Sequence, residues 1–350
     1  MPFRYFPVSA YFFVPFYLMG FDLGFIIFNC FNLILNILIC LILYKIIILI
    51  RSENHEKNEK KVIDYICIFL IGLPNIFNYI LGQINLYVTF LVLLSLFLFL
   101  KYEEIKWNFL ASFILGVSIT IKPTTFFLIP FLIILQFDLE NRKIKFDVYR
   151  SIIRVIGVLL PVLLNLIFFF FYPTFWEGFL NANFTGNNPI AQSFSFSISQ
   201  LIVNFYYFYN IPFNQIFIIL GVIVIIGGLG FIIFIFRRFE NNSILYSYFF
   251  GIIITLLVYF DSWDHHLLTL IPILIIIFFN LPFDLKINRA LNISIFFFSF
   301  FSLIFTGIWM QIYLIFPYNF LPTLFLLLSF YAISKYCLLK QTNEKTGGLI

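Results

Sequence analysis

Few residues in this chain have the chemistry to do work, because almost everything around them is apolar. They are Gln83 and Asn85 in the turn Gly82-Gln83-Ile84-Asn85, Lys122 before Pro123, and the run Asp261-Ser262-Trp263-Asp264-His265-His266. A cation near the bilayer centre costs about 2.5–3.5 kcal/mol on insertion scales, so a lysine ending an apolar segment demands a reason. Lys122 can point its charge into a wet cavity and meet a phosphate, or it can snorkel to the interface. Pro123 lacks a backbone donor, so a helix is expected to break there. Adjacent imidazoles at His265 and His266 can bind a phosphate, donate to hydroxyls or ligate metal. No His-x-x-x-His or Glu-x-x-His pattern accompanies them, so phosphate or hydroxyl contact ranks above a metal. A helix starting near His265 would add free amides that favour an anion. Alternatively, Asp261 and Asp264 simply cap that helix. Gln83 and Asn85 read either as hydroxyl ligands or as the polar residues a tight hairpin needs.

These residues must be positioned by membrane helices. The chain is 350 residues long, 62% hydrophobic and 11% charged, with a mean hydropathy of +1.04. Soluble domains carry about 25% charged residues, so that class is excluded. Apolar runs near the 20 residues of a spanning helix recur throughout. The expectation is an all-α polytopic membrane protein of about eleven transmembrane helices. The spans are placed near 22–50, 62–81, 84–101, 107–121, 123–137, 150–172, 214–237, 244–260, 265–281, 290–312 and 316–337. Residues 6–19, aromatic and with Pro7 and Pro15, read as a helix lying at the interface. Residues 1–339 are expected to form one membrane domain, and 340–350 a disordered cytoplasmic tail.

The net charge of +5 is spread over short loops, unlike the single basic face of a nucleic-acid binder. Cys30, Cys40, Cys67 and Cys337 are scattered and form no Cys-x-x-Cys pair, so neither a disulfide framework nor a zinc site is expected. The N-terminus lacks the order of a cleavable signal peptide. One set of loops holds most of the Lys and Arg, and the positive-inside rule puts that set in the cytoplasm. Arg4, Gln83, Lys122, the segment 173–213 and the loop Asp261 to His266 then share the outer side. Segment 173–213 has no Lys or Arg but carries Asn181, Asn183, Asn187, Asn188 and Gln192 among aromatics. It suits sugar hydroxyls and ring faces, or is a plain interfacial loop. Asn183-Phe184-Thr185 also fits an N-glycosylation pattern.

Gly82-Gln83-Ile84-Asn85, followed by Gly116 leading into Lys122-Pro123-Thr124, resembles the paired blocks of glycosyltransferase family 87. Phe3-Arg4-Tyr5-Phe6-Pro7 with Pro15 resembles the family's Tyr-Pro-Pro block and its following proline, with Phe6 in place of the first proline. Asn187 to Ser193 resembles its outer loop, and Ser262-Trp263-Asp264-His265-His266 its Ser-Trp-x-His-His block. The likeness covers nearly the whole chain and keeps the order of the blocks.

The resemblance implies a GT-C-like bundle that moves a hexose, mannose above all, from a polyprenyl-phosphate sugar to an acceptor hydroxyl on the outer face of the cell membrane. It implies catalytic and phosphate-binding work for His265 and His266, and phosphate binding for Lys122. Gln83, Asn85, Asn188 and Gln192 would contact sugar or acceptor. The expected partners are the lipid-linked sugar, membrane lipids and a lipid or glycan acceptor, with no nucleic acid, cofactor or metal. The family also carries an acidic residue in a first outer loop upstream of the Tyr-Pro-Pro block. This chain begins at that block, so the preceding span and acid are expected to be missing from it. Two rivals stand beside the enzyme. One is a transporter or flippase, against which the lack of an internal repeat counts; the other is a truncated, non-catalytic relative.

Overall fold

The computed structural model describes residues 6–51, 59–138, 141–180, 195–239, 242–259, 262–282, 286–312 and 320–339. Helix α1 (Pro7–Leu18) turns at Gly20 into the 30-residue α2 (Phe21–Ile50). The expected span 62–81 is one crossing in two pieces, α3 (Glu59–Ile71) and α4 (Leu73–Ile80). Pro74 causes the break, since it cannot donate to the carbonyl of Leu70 four residues back. The side chain of Asn75 repairs it: Nδ2 donates to Leu70 O at 3.0 Å. The same amide pairs reciprocally with Asn36 of α2 at 2.9 and 3.3 Å, and Asn36 also donates to the Tyr79 hydroxyl at 2.7 Å. Polar groups in a bilayer are costly unless satisfied, and this cluster satisfies itself while tying α2 to the kink.

Helices α5 (Asn85–Lys101) and α6 (Ile105–Ile121) follow. The expected span at 123–137 is not a spanning helix. Residues Pro123–Leu132 form a 3-10 segment instead, with Pro130 inside it. At about 2.0 Å per residue it reaches roughly 20 Å. It then enters an antiparallel hairpin that the apolar pattern did not show, β1 (Leu135–Asp138) against β2 (Lys143–Phe146), with Leu135 opposite Phe146. Helix α7 (Val148–Phe171) starts where the Asp147 carboxylate accepts from Arg150 N at 3.0 Å. It packs on α6 at Gly116, where a Cβ would collide with the carbonyl of Val158 and press on the Pro161 ring.

The segment read as one loop at 173–213 contains two helices, α8 (Pro173–Leu180) and α9 (Ile198–Phe208). Helices α10 (Gln215–Val222) and α11 (Gly228–Ile235) are joined by one π-helical stretch, Ile223–Gly227. Helix α12 (Ser243–Val258), a 3-10 turn (Asp264–His266) and α13 (Leu267–Asn280) come next, before α14 (Lys286–Ile312) and α15 (Leu321–Leu338). The α12 and α13 helices are apolar on every side and buried on every side, so they form the middle of the bundle. The exposed Leu159, Leu160 and Leu163 of α7 suit lipid rather than water.

Five described segments are long and apolar enough to cross a membrane: Phe21–Ile50, Glu59–Ile80, Val148–Phe171, Gln215–Ile235 and Leu321–Leu338. Others expected to span, such as Asn85–Lys101, Ile105–Ile121 and Ser243–Val258, are shorter apolar helices. The architecture is therefore polytopic and helical, as expected, with five segments of full spanning length among the described residues.

Candidate functional site

The site is built at the end of α4. Gly82 has φ 58, a left-handed conformation that favours glycine. Its N–H bonds to Tyr79 O at 3.3 Å, and Gln83 N–H to Asn78 O at 2.9 Å. Together these make a Schellman ending, which closes the helix and delivers the chain directly to Asn85. The glycine of the Gly-Gln block thus sets the turn, and Gln83 lies half-buried on it.

Lys122 lies between α6 and the 3-10 segment and is 5% exposed, so the snorkelling reading does not hold. Its Nζ donates to Asn85 Oδ1 at 2.7 Å. Asn85 Nδ2 reaches Asn78 Oδ1 at 3.4 Å. Lys122, Asn85 and Asn78 form a buried row that joins the end of α6 to the neighbouring ends of α4 and α5.

The 3-10 turn carrying the imidazoles packs against α4. His265 and His266 are both buried, with ring centroids 4.4 Å apart. His266 Nδ1 accepts from the N–H of Trp263 at 3.0 Å, and its own N–H bonds to Trp263 O at 2.9 Å. An imidazole nitrogen that accepts carries no proton, so neutral His266 holds its proton on Nε2 and donates there. The cap of this turn is therefore His266. Asp264 makes no side-chain cap there, which corrects the reading that Asp261 and Asp264 cap the helix as far as Asp264 is concerned. One turn deeper, Thr89 of α5 and Thr269 of α13 share a hydrogen bond at 3.1 Å. On the far side, Ser262 joins the stretch before α9: Phe196 N–H donates to Ser262 O at 2.9 Å, and Ser262 N–H to Ser195 Oγ at 3.2 Å.

Electrostatics follow from burial. Burial lowers the Lys122 ammonium to about 7. Burial first, and then the charge of Lys122, hold both imidazoles well below the ordinary histidine range, and His265 adds to the effect on His266. Lys122 thus stands close enough to both imidazoles to oppose their protonation. Burial pushes the Asp264 carboxyl up to about 7. Lowering the polarity around charges disfavours the charged form of each, and an incoming anion would reverse this for the bases.

The structure brings Asn85, Lys122, His265 and His266 to one end of the bundle, with Gln83 at the adjoining turn. Arg4, Asn188, Gln192, Asp261, the Asn183 pattern and the tail 340–350 lie outside the described residues. Sequence reasoning passed over Asn78, Asn75, Asn36 and the Thr89–Thr269 pair. The signal was available for the asparagines, since an amide inside an apolar span is as costly as one at its end. Among the described residues, no group of His, Cys, Asp and Glu is arranged to hold a metal ion.

Fold and site define a polytopic helical membrane protein with a buried basic and amide-rich centre at one end. The chain belongs to glycosyltransferase family 87, whose model matches residues 3–259. That match includes Gln83, Asn85 and Lys122 and ends ahead of the Ser262–His266 turn. No curated protein and no solved structure matches the chain. Family membership indicates glycosyltransferase activity and favours an enzyme over a transporter.

Proposed function

We propose that the protein transfers a hexose, with mannose the first candidate, from a polyprenyl-phosphate sugar to an acceptor hydroxyl on the outer face of the cell membrane. Residues 1–339 act in this reading as one membrane domain. The observation that carries it is the buried Lys122 beside two buried imidazoles. A basic group is tolerated at such depth when it faces an anion, and a lipid-linked phosphate is the anion that reaches this depth.

In the reaction the acceptor oxygen attacks the anomeric carbon while the carbon–oxygen bond to the phosphate breaks. The leaving phosphate gains negative charge, which preorganised donors in a dry site stabilise. Lys122 supplies charge, and His266 donates from Nε2 because Trp263 occupies Nδ1. His265 is not held in that way and can take or give a proton. The acceptor proton passes to a base, for which His265 and the Asp264 carboxyl, raised to about 7, are the nearby groups on the turn. Asn85 and Gln83 orient hydroxyls, with Asn188 and Gln192 at the mouth. Acceptors are a lipid or a glycan, and the scheme uses no cofactor or metal ion.

The test is purified protein in nanodiscs with labelled polyprenyl-phosphate mannose, polyprenyl-phosphate glucose, and a nucleotide-activated sugar as a competing donor class. Transfer from a lipid-linked sugar with release of polyprenyl phosphate supports the reading. Transfer from the nucleotide sugar alone removes it.

A further inference from the structure

The amide of Asn78 is wholly buried, and its Nδ2 has no hydrogen-bond partner among the described residues. A buried donor left unsatisfied keeps the full penalty of its lost hydration, so its presence calls for a ligand or a reason. The chemistry of its neighbours fixes which way it points. An ammonium only donates, so Asn85 must turn its oxygen to Lys122, as the 2.7 Å contact has it. Asn85 then offers its NH2 group to Asn78, which must answer with its own oxygen, at 3.4 Å. The NH2 of Asn78 is left facing away from Asn85. Rotating either amide would set two donors or two acceptors against each other.

Asn78 also sits on α4, the helix that packs against the turn bearing His265 and His266. The relay from Lys122 through Asn85 therefore ends in a pair of N–H donors on the element next to the imidazoles. What such an end accepts is an oxygen with free lone pairs. An anionic oxygen makes a charge-assisted bond roughly twice as strong as a neutral one.

We propose that Asn78 is a positioning and binding residue for a phosphate group, donating from Nδ2 to the phosphate that Lys122 and the imidazoles neutralise. This inference rests on the transferase reading for the source of that phosphate, and it assigns to the site a contact which charge alone would not supply. Lys122 orients the donor as well as attracting the anion, since its ammonium sets the direction of the whole relay.

The experiment measures binding to the full chain in nanodiscs, with sugar-free polyprenyl phosphate, uncharged polyprenol of the same length, and inorganic phosphate as probes. Wild-type protein is expected to prefer polyprenyl phosphate to polyprenol. Asn78→Asp keeps the acceptor for Asn85 but presents an oxygen to the ligand; it is expected to weaken polyprenyl phosphate binding by about tenfold to a hundredfold. Asn78→Ala is expected to weaken it by about tenfold. Polyprenol binding should not change in either variant, and that arm reports an intact fold. Competition by inorganic phosphate would assign recognition to the phosphate alone; its failure to compete, with the other losses present, would assign it to the lipid-linked headgroup.

Equal binding of polyprenyl phosphate by wild type and both variants would overturn the role of Asn78 and leave the transferase reading intact. Parallel losses for polyprenol would overturn it too, by showing a merely structural role. Phosphate-selective binding by a protein that transfers no sugar would remove the transferase reading and leave the anion site standing.

Discussion

Thr89 and Thr269 share a hydrogen bond of 3.1 Å, and each lies four residues beyond a site residue, Asn85 on α5 and His265 before α13. Four residues is about one turn of α5, so Thr89 stands below Asn85 on the same face, while Thr269 lies in the first turn of α13, directly after the 3-10 turn that carries His265. The threonine pair thereby fixes how far the amide stands from the imidazoles. Thr89→Val and Thr269→Val keep the shape and remove the bond. Each is expected to cost about 1 kcal/mol of stability, and the double variant less than the sum, because one bond is lost only once. Thermal unfolding of the four proteins in one detergent checks this.

Lys122→Met and His266→Ala are expected to reduce sugar transfer at least about a hundredfold, the order seen when one preorganised transition-state donor is removed. Insertion and monodispersity should survive in both. Turnover of a polyprenyl-phosphate sugar at the wild-type rate in both variants would deprive these residues of the proposed role.

Binding of the polyprenyl-phosphate sugar, a diester whose single charge is constant over this range, should depend on pH, with a sign set by the depressed bases. Lys122 is lowered to about 7, and His265 lies well below the ordinary histidine range. A bound anion favours the protonated forms, so the bound-state values rise above the free ones. Affinity is then strongest at pH below 7 and falls as pH rises from the free value of Lys122 towards its bound value, by up to about tenfold per unit for one proton taken up. Calorimetry in buffers of different ionisation enthalpy measures that uptake. His266 contributes little, because Trp263 N–H holds its Nδ1 unprotonated. A profile that strengthens with rising pH would contradict the scheme.

Gly116→Ala is expected to destabilise by about 1–3 kcal/mol, as overpacking does. Its Cβ would meet a backbone carbonyl, that of Val158, which cannot swing aside as a side-chain tip can. Thermal unfolding and yield in the membrane fraction check it, and Ser329→Ala, at a residue whose hydroxyl bonds within its own helix to Phe325 O at 2.9 Å, serves as a milder comparison.

The amino-acid sequence by itself determined that this chain belongs in a membrane, roughly where its helices run and which residues are costly there. Those features are local, set by runs of apolar side chains and by the backbone chemistry of Gly82 and Pro123. The turn at Gly82 and the break after Lys122 were legible in that way. The 3-10 form of Pro123–Leu132 was not, because an apolar run reads alike whether it crosses a bilayer or lies folded against α12. Nor could spacing reveal that Lys122 is buried instead of snorkelling, or that His266 caps its own turn. Asn78 depended on tertiary structure most of all. Its direction is dictated by a lysine 44 positions later, through a hydrogen bond to Asn85 that exists only when the end of α6 meets the start of α5. Donor and acceptor direction is a property of the assembled network, and no single stretch of chain contains it.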